Sequence, residues 1–183
     1  MELVMINFLI GIIFVLFMFT SQGVTQEVSK KGLKVYSPAF KNNTEIPSKY
    51  TCDGININPP LVIENVPKEA KSLAIVFDDI DAPRGSYVHW LLWNINPETK
   101  EIKEDSIPNG AIVGLNDFKK NDYRGPCPPK RAHKYVFKVY ALDIQLVINK
   151  NSIKRDLEKA MEGHIIDKTE LVGIYKRSFS SKK

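Results

Sequence analysis

Ser72-Leu73-Ala74-Ile75-Val76-Phe77 runs straight into Asp78-Asp79-Ile80-Asp81-Ala82-Pro83, and that junction decides the fold. The first half is short and apolar on both faces, which reads as a strand in the interior of a sheet. Three carboxylates then arrive within four residues. Unpaired carboxylates are too costly to bury, so they must be solvated, held by donors or gathered at a site. Pro83 and Gly85 turn the chain. A second strand starts near Tyr87. Period-two alternation places His89, Leu91, Trp93 and Ile95 on one of its faces and Trp90, Leu92 and Asn94 on the other. A histidine at the start of that strand stands near the mouth where the aspartates sit.

Outward from this pair, Leu33 to Phe40 reads as a first strand and Leu61 to Glu64 as another. Glu98 to Gly110 is polar and reads as a surface excursion. Ala111 to Leu115 is a short strand, and Asn116 to Pro129 a long loop. Ala132 to Leu142 is the clearest strand, with His133, Tyr135, Phe137 and Val139 on one face and Lys134 and Lys138 on the wetter one. Ser152 to Glu162 is the one helix, with Ser152 as its cap and Gly163 just past its end. Glu170 to Tyr175 is a last strand. Many strands, few helices and no βα alternation give a mainly β, antiparallel domain with one or two peripheral helices.

The chain has 183 residues and a net charge of +5, with its basic residues scattered rather than clustered. No nucleic-acid-binding signature accompanies that charge. Residues 1–23 read as a signal peptide or N-terminal membrane anchor, because the run from Leu3 to Phe19 is almost wholly apolar. The absence of Lys or Arg before it argues against simple export. Export is still the expectation, with membrane association through this segment as its variant. Residues 24–32 form a tether, 33–178 one domain and 179–183 a basic tail.

The loops carry the chemistry. Tyr123-Arg124-Gly125-Pro126-Cys127-Pro128-Pro129 has three prolines in four positions, which makes a stiff wall with few free N–H groups. Gly125 in that wall lets a ligand approach the backbone. Asp79, Asp81, His89, His133 and Tyr135 are the polar groups available to one pocket. Such a pocket suits a phosphate or carboxylate if the histidines donate and an aspartate is protonated or paired. Zinc is disfavoured by the separation of His89 from His133. A Cys127–His133 nucleophile pair lacks an orienting third group. Cys52 and Cys127 both lie in loops; in an exported protein they could pair, but their separation is not legible from sequence.

Taken together, Tyr50-Thr51-Cys52-Asp53-Gly54, Asn58-Pro59-Pro60-Leu61, Asp79-Ile80-Asp81-Ala82-Pro83, His89-Trp90, Gly114 to Phe118, Gly125 to Pro129, His133-Lys134-Tyr135, Gly163-His164 and Glu170 to Tyr175 form an ordered set. That set resembles the phosphatidylethanolamine-binding protein family, in its bacterial and archaeal Raf-kinase-inhibitor-like branch. The resemblance implies antiparallel sheets in Greek-key order. It also implies a small anion pocket built from Asp79, Asp81, His89, Gly125, Pro126, His133 and Tyr135. It places Cys52 and Cys127 together at the pocket rim, where a disulfide is open to them. A non-catalytic binder of a phosphorylated or carboxylated ligand is implied, without metal or cofactor. The alternatives are a protease or kinase inhibitor acting through surface loops, Glu98 to Gly110 foremost, and a cryptic hydrolase. Homodimer formation is left open. Ile80 stands where the family usually has proline, and Arg124 and Arg131 where glycine is common.

Overall fold

A computed structural model describes residues 32–177. The expected leader, nearly all of the tether and the basic tail lie outside the described residues. Nine strands and one helix follow in order: β1 (Lys34–Tyr36), β2 (Thr44–Glu45), β3 (Leu61–Glu64), β4 (Ser72–Asp79), β5 (Tyr87–Ile95), β6 (Glu101–Ile102), β7 (Ile112–Val113), β8 (His133–Leu142), α1 (Lys154–Met161) and β9 (Ile165–Tyr175). They build a three-stranded sheet, β1-β3-β6, and a six-stranded sheet, β2-β9-β8-β4-β5-β7. All pairings are antiparallel except β2 with β9. In the larger sheet β4, β5 and β7 neighbour one another in chain order. The chain then returns β8 to the free side of β4, which is the Greek-key step.

Both faces of β4 are covered, and its run from Leu73 to Phe77 is apolar. Leu73, Ile75 and Phe77 face a core shared with Leu61, Ile63 and Ile102 of the small sheet. Ala74 and Val76 face a second core closed by Leu157 and Met161 of α1. Asp78 points to this second side. Its buried carboxylate accepts from Ser86 Oγ at 2.7 Å and from Lys154 Nζ, fastening the helix to the sheet.

Strand β5 departs from the expected alternation. Its pairing with β4 slips between Phe77 and Asp78, and again between Leu73 and Ile75. Each slip inserts a residue and resets which side chains share a face. Asn94, at φ 55°, lies in the second. Val88, Leu91 and Trp93 therefore join the helix-side core, while Trp90, Leu92 and Ile95 join the inter-sheet core. His89 and Trp90, consecutive in sequence, meet on the inter-sheet side, where the His89 ring lies 5.6 Å from that of Phe77.

Other differences are smaller. The stretch from Glu98 to Gly110 is mostly exposed, as expected, but β6 within it pairs with β3 and buries Ile102. Helix α1 is capped at Ile153, whose N–H donates to Asp156 Oδ2 at 3.1 Å. Ser152 instead gives its carbonyl to the Leu115 N–H. Gly163 follows the helix at φ 77°, the left-handed position glycine favours. Strand β9 begins at Ile165, ahead of the apolar stretch that marked it; its first half is mostly exposed, from Ile165 and Ile166 through the polar run to Glu170.

Candidate ligand-binding site

The mouth is built where β4 ends. Register places Asp79 opposite Tyr135 of β8 on one side and Tyr87 of β5 on the other. His133 begins β8, and its Nδ1–H donates to Asp79 Oδ2 at 2.7 Å. Both side chains are almost shut off from water, at 3% and 5% exposure. Asp79 Oδ1 accepts the Asp81 N–H at 3.0 Å, so one carboxylate satisfies one buried and one half-buried donor. Asp81 turns the other way and accepts the Lys134 N–H at 2.8 Å, stitching the β4 turn to β8.

Tyr135 occupies the centre, with the His89 ring at 5.3 Å and the His133 ring at 6.4 Å. The residue is fully buried, and its hydroxyl, which meets no partner at full hydrogen-bond geometry, lies against the Asp79 carboxylate and the Cys127 backbone. Burial first, and the Asp79 carboxylate second, push its pKa far above the ordinary phenol value. The hydroxyl therefore stays a donor. A buried hydroxyl without a well-formed hydrogen bond is an expense that folded proteins rarely leave standing unless it has a use.

His89 is the third donor-bearing group. Its Nδ1 lies 2.7 Å from the Arg124 carbonyl, which can only accept, so Nδ1 carries a proton. Burial pushes the imidazole pKa down. The Arg124 and Gly125 backbones, with the Asp79 and Asp117 carboxylates, pull it only partly back. The resting ring is thus neutral, with its Nε2 lone pair free. Two half-exposed aromatics flank it: Phe118 packs edge-on at 5.2 Å and Tyr87 at 5.8 Å.

Gly125 stands where two loops pack closely. A Cβ there would lie 2.2 Å from the Tyr50 carbonyl and 2.7 Å from Thr51 Cα. Its N–H is already given to Asn56 Oδ1 at 2.8 Å. The bareness of this glycine lets two loops touch. Pro126 is buried beside it and accepts the Cys52 N–H at 3.1 Å. Cys52 and Cys127 are joined by a disulfide with Cα atoms 5.4 Å apart. The Cys127 backbone adjoins the Tyr135 hydroxyl.

The sequence brought forward Asp79, Asp81, His89, His133 and Tyr135; the structure brings Asp79, His89, His133 and Tyr135 together, while the Asp81 side chain turns away to the Lys134 N–H. The sequence missed Arg124, whose main chain holds His89, and Asn56 and Tyr123, which bind the two loops. The Arg124 side chain does not enter the pocket; Nε and Nη2 make a forked pair with Asp122 at 3.0 and 2.7 Å. Only its place beside Gly125 pointed to it.

Comparison with known proteins places this arrangement. The chain is 50% identical over 157 residues to a UPF0098 protein of Pyrococcus horikoshii, covering 81% of this chain and 78% of that protein. It is 45% identical over 144 residues to one from Methanothermobacter thermautotrophicus, covering 76% and 95%. Among solved structures it is similar to a putative phosphatidylethanolamine-binding protein homolog of Chlamydia trachomatis, at a TM-score of 0.78 and 38% identity, covering 80% of this chain and 99% of that one. It is also similar to YbcL of E. coli, described as a member of the mammalian PEBP family, at 0.76 and 28%, covering 81% and 100%. The model of the phosphatidylethanolamine-binding proteins matches residues 36–176. With nearly the whole described domain inside that match, this chain belongs to the phosphatidylethanolamine-binding protein family.

Proposed function

We propose that the protein is a non-catalytic binder of a small anion, a phosphate ester or a carboxylate, at the mouth formed by Asp79, His89, His133 and Tyr135. The observation that carries this reading is the buried Tyr135 hydroxyl, a donor without a well-formed hydrogen bond, set between two histidines and beside the Asp79 carboxylate. An anion would take the Tyr135 O–H and a proton on His89 Nε2, supplied either by solution or by the ligand's own P–OH. His133 is held for the same purpose by Asp79. Hydrogen bonds to a charged group contribute about 1.5–3 kcal/mol each.

Two features weigh against the rival readings. Cys127 is tied up in a disulfide, which removes the nearest nucleophile to His133. The loop from Glu98 to Gly110 is fastened by β6, so it is a poor protruding inhibitor loop. The disulfide and the apolar N-terminal segment together support export, since such bonds persist in oxidising compartments.

Calorimetric titration with O-phosphorylethanolamine tests the reading. His133→Ala should bind at least about tenfold more weakly than the wild type, the equivalent of one lost charged hydrogen bond. Equal affinities in the two proteins would make the cluster structural and end the proposal.

A further inference from the structure

A second concavity lies apart from Asp79, Asp81, His133 and Tyr135. It is a cleft of about 400 Å³ between the loop at residues 55–58, the segment 105–107 and the loop at residues 121–124. That volume is within the range of small-ligand sites. Trp90 and Tyr123 line it, and their rings meet edge to face at 5.6 Å. The bulge in β5 explains the position: it turns Trp90 to the same side as His89, so the two consecutive residues serve neighbouring hollows.

The lining is aliphatic at the mouth and has few polar groups to spare. Ile55 is 68% exposed and Ile107 51% exposed, and Ile57 lies beside them. Asn58 is consumed: its amide donates to the Lys103 carbonyl and its oxygen accepts from Ser106. Asn121 donates to the carbonyls of Val113 and Lys150. The Arg124 guanidinium is forked onto Asp122, so these two charges cancel. Asp105 remains, a carboxylate that makes no ion pair among the described residues. The uncompensated charge of the cleft is therefore negative, next to exposed isoleucines and an aromatic floor.

We propose that this cleft binds a small organic ammonium, an amine with an apolar body, its cation at the exposed Asp105 and its body against Ile55, Ile57, Ile107 and Tyr123, over the buried Trp90 ring. Aliphatic and aromatic walls accept the body, and a single unpaired carboxylate selects the charge. The site does not depend on the anion-binding reading of the His133 mouth.

The protein has two tryptophans, Trp90 and Trp93, on opposite faces of β5, which supplies an internal control. Phenethylammonium is titrated into isotope-labelled full-length protein, and the two indole N–H resonances are followed by NMR. The Trp90 resonance should move saturably at millimolar concentration while that of Trp93 stays. Asp105→Asn should weaken the amine by about threefold, as expected for one exposed ion pair, and leave phenethyl alcohol unchanged. Ile107→Ser should weaken both probes. The proposal is overturned if Trp90 does not respond. It is equally overturned if both indoles respond alike, or if amine and alcohol bind equally well to the wild type.

Discussion

Arg124 grips His89 from two directions: its N–H donates to the His89 carbonyl at 3.1 Å, and its own carbonyl accepts the His89 Nδ1–H at 2.7 Å. One residue thus fixes both the strand edge and the ring of its partner, and with them the tautomer. The buried ring titrates below the ordinary value of 6.5. An unfolded chain would take up a proton there that the folded chain refuses. More protons bound in the unfolded state means stability rises with pH through this window and falls as pH drops below about 6.5. Thermal unfolding between about pH 7.5 and pH 5.5 should show that loss in the wild type and less of it in His89→Gln. Asp53 and Glu104 also lose stabilisation on acidification, because Arg177 and Lys49 hold their pKa values below 3.8 and 4.5, but only in a lower pH range. Identical pH slopes for wild type and His89→Gln would contradict the assignment.

The same ring sets the pH dependence of binding. An anion needs a proton at Nε2, so affinity for O-phosphorylethanolamine should rise as pH is lowered from about 8 to about 6. In His89→Gln most of that rise should vanish. Calorimetry at the two pH values reads it directly, and an affinity independent of pH would place the anion away from His89.

Gly125→Ala separates a structural glycine from a ligand-facing one. The new methyl group would enter the Tyr50 carbonyl and the Thr51 backbone, neither of which is a flexible side-chain end. Overpacking of this kind costs about 1–3 kcal/mol and often more against backbone. A clear drop in urea midpoint is expected. Unchanged stability with weakened ligand binding would place the glycine in the pocket wall.

How much of this was legible follows from what each residue type announces. Strand β4 was readable because a strand covered on both faces is apolar wherever no partner meets a polar group, here from Leu73 to Phe77. For the same reason the bulges in β5 were invisible: with both faces apolar, no hydropathy pattern marks where the alternation resets. His89 was found as a site residue by its chemistry, but its face was assigned wrongly. The clustered aspartates were found, yet their three separate duties depend on alternation and on Lys154, far along the chain. Arg124 acts through its main chain, which no side-chain signature reveals.

The Cys52–Cys127 disulfide spans a sequence separation of 75 and closes a long loop. Three other bonds already tie the same walls: Cys52 N–H to Pro126, Tyr123 O–H to Tyr50 and Gly125 N–H to Asn56. The bond should therefore act mainly on the unfolded chain, contributing up to about 4 kcal/mol in the chain-entropy account. The double variant Cys52→Ala, Cys127→Ala should lose about 3 kcal/mol in urea unfolding. Its ligand affinity should change by less than about twofold, since the walls stay in place. Protein recovered from an oxidising compartment should show no free thiol after unfolding without reductant; two free thiols would remove the bond.

Asp79 and His133 form the pair on which the mouth rests, and its energetics are separable. The carboxylate serves two donors, His133 Nδ1–H in nearly dry surroundings and the half-buried Asp81 N–H. Asp79→Ala strands both, and each buried unsatisfied donor costs about 1–3 kcal/mol. A loss near 3 kcal/mol is expected in urea unfolding. Asp79→Asn retains one acceptor oxygen and presents an NH₂ to the second donor, so it should lie between Ala and wild type. His133→Ala removes one of the two clients and so lessens the demand on the carboxylate. In the double variant Asp79→Ala, His133→Ala the loss should fall short of the sum of the singles by more than about 0.5 kcal/mol. Strict additivity would mean that the 2.7 Å contact holds no coupling energy and that each side chain is kept in place by other packing.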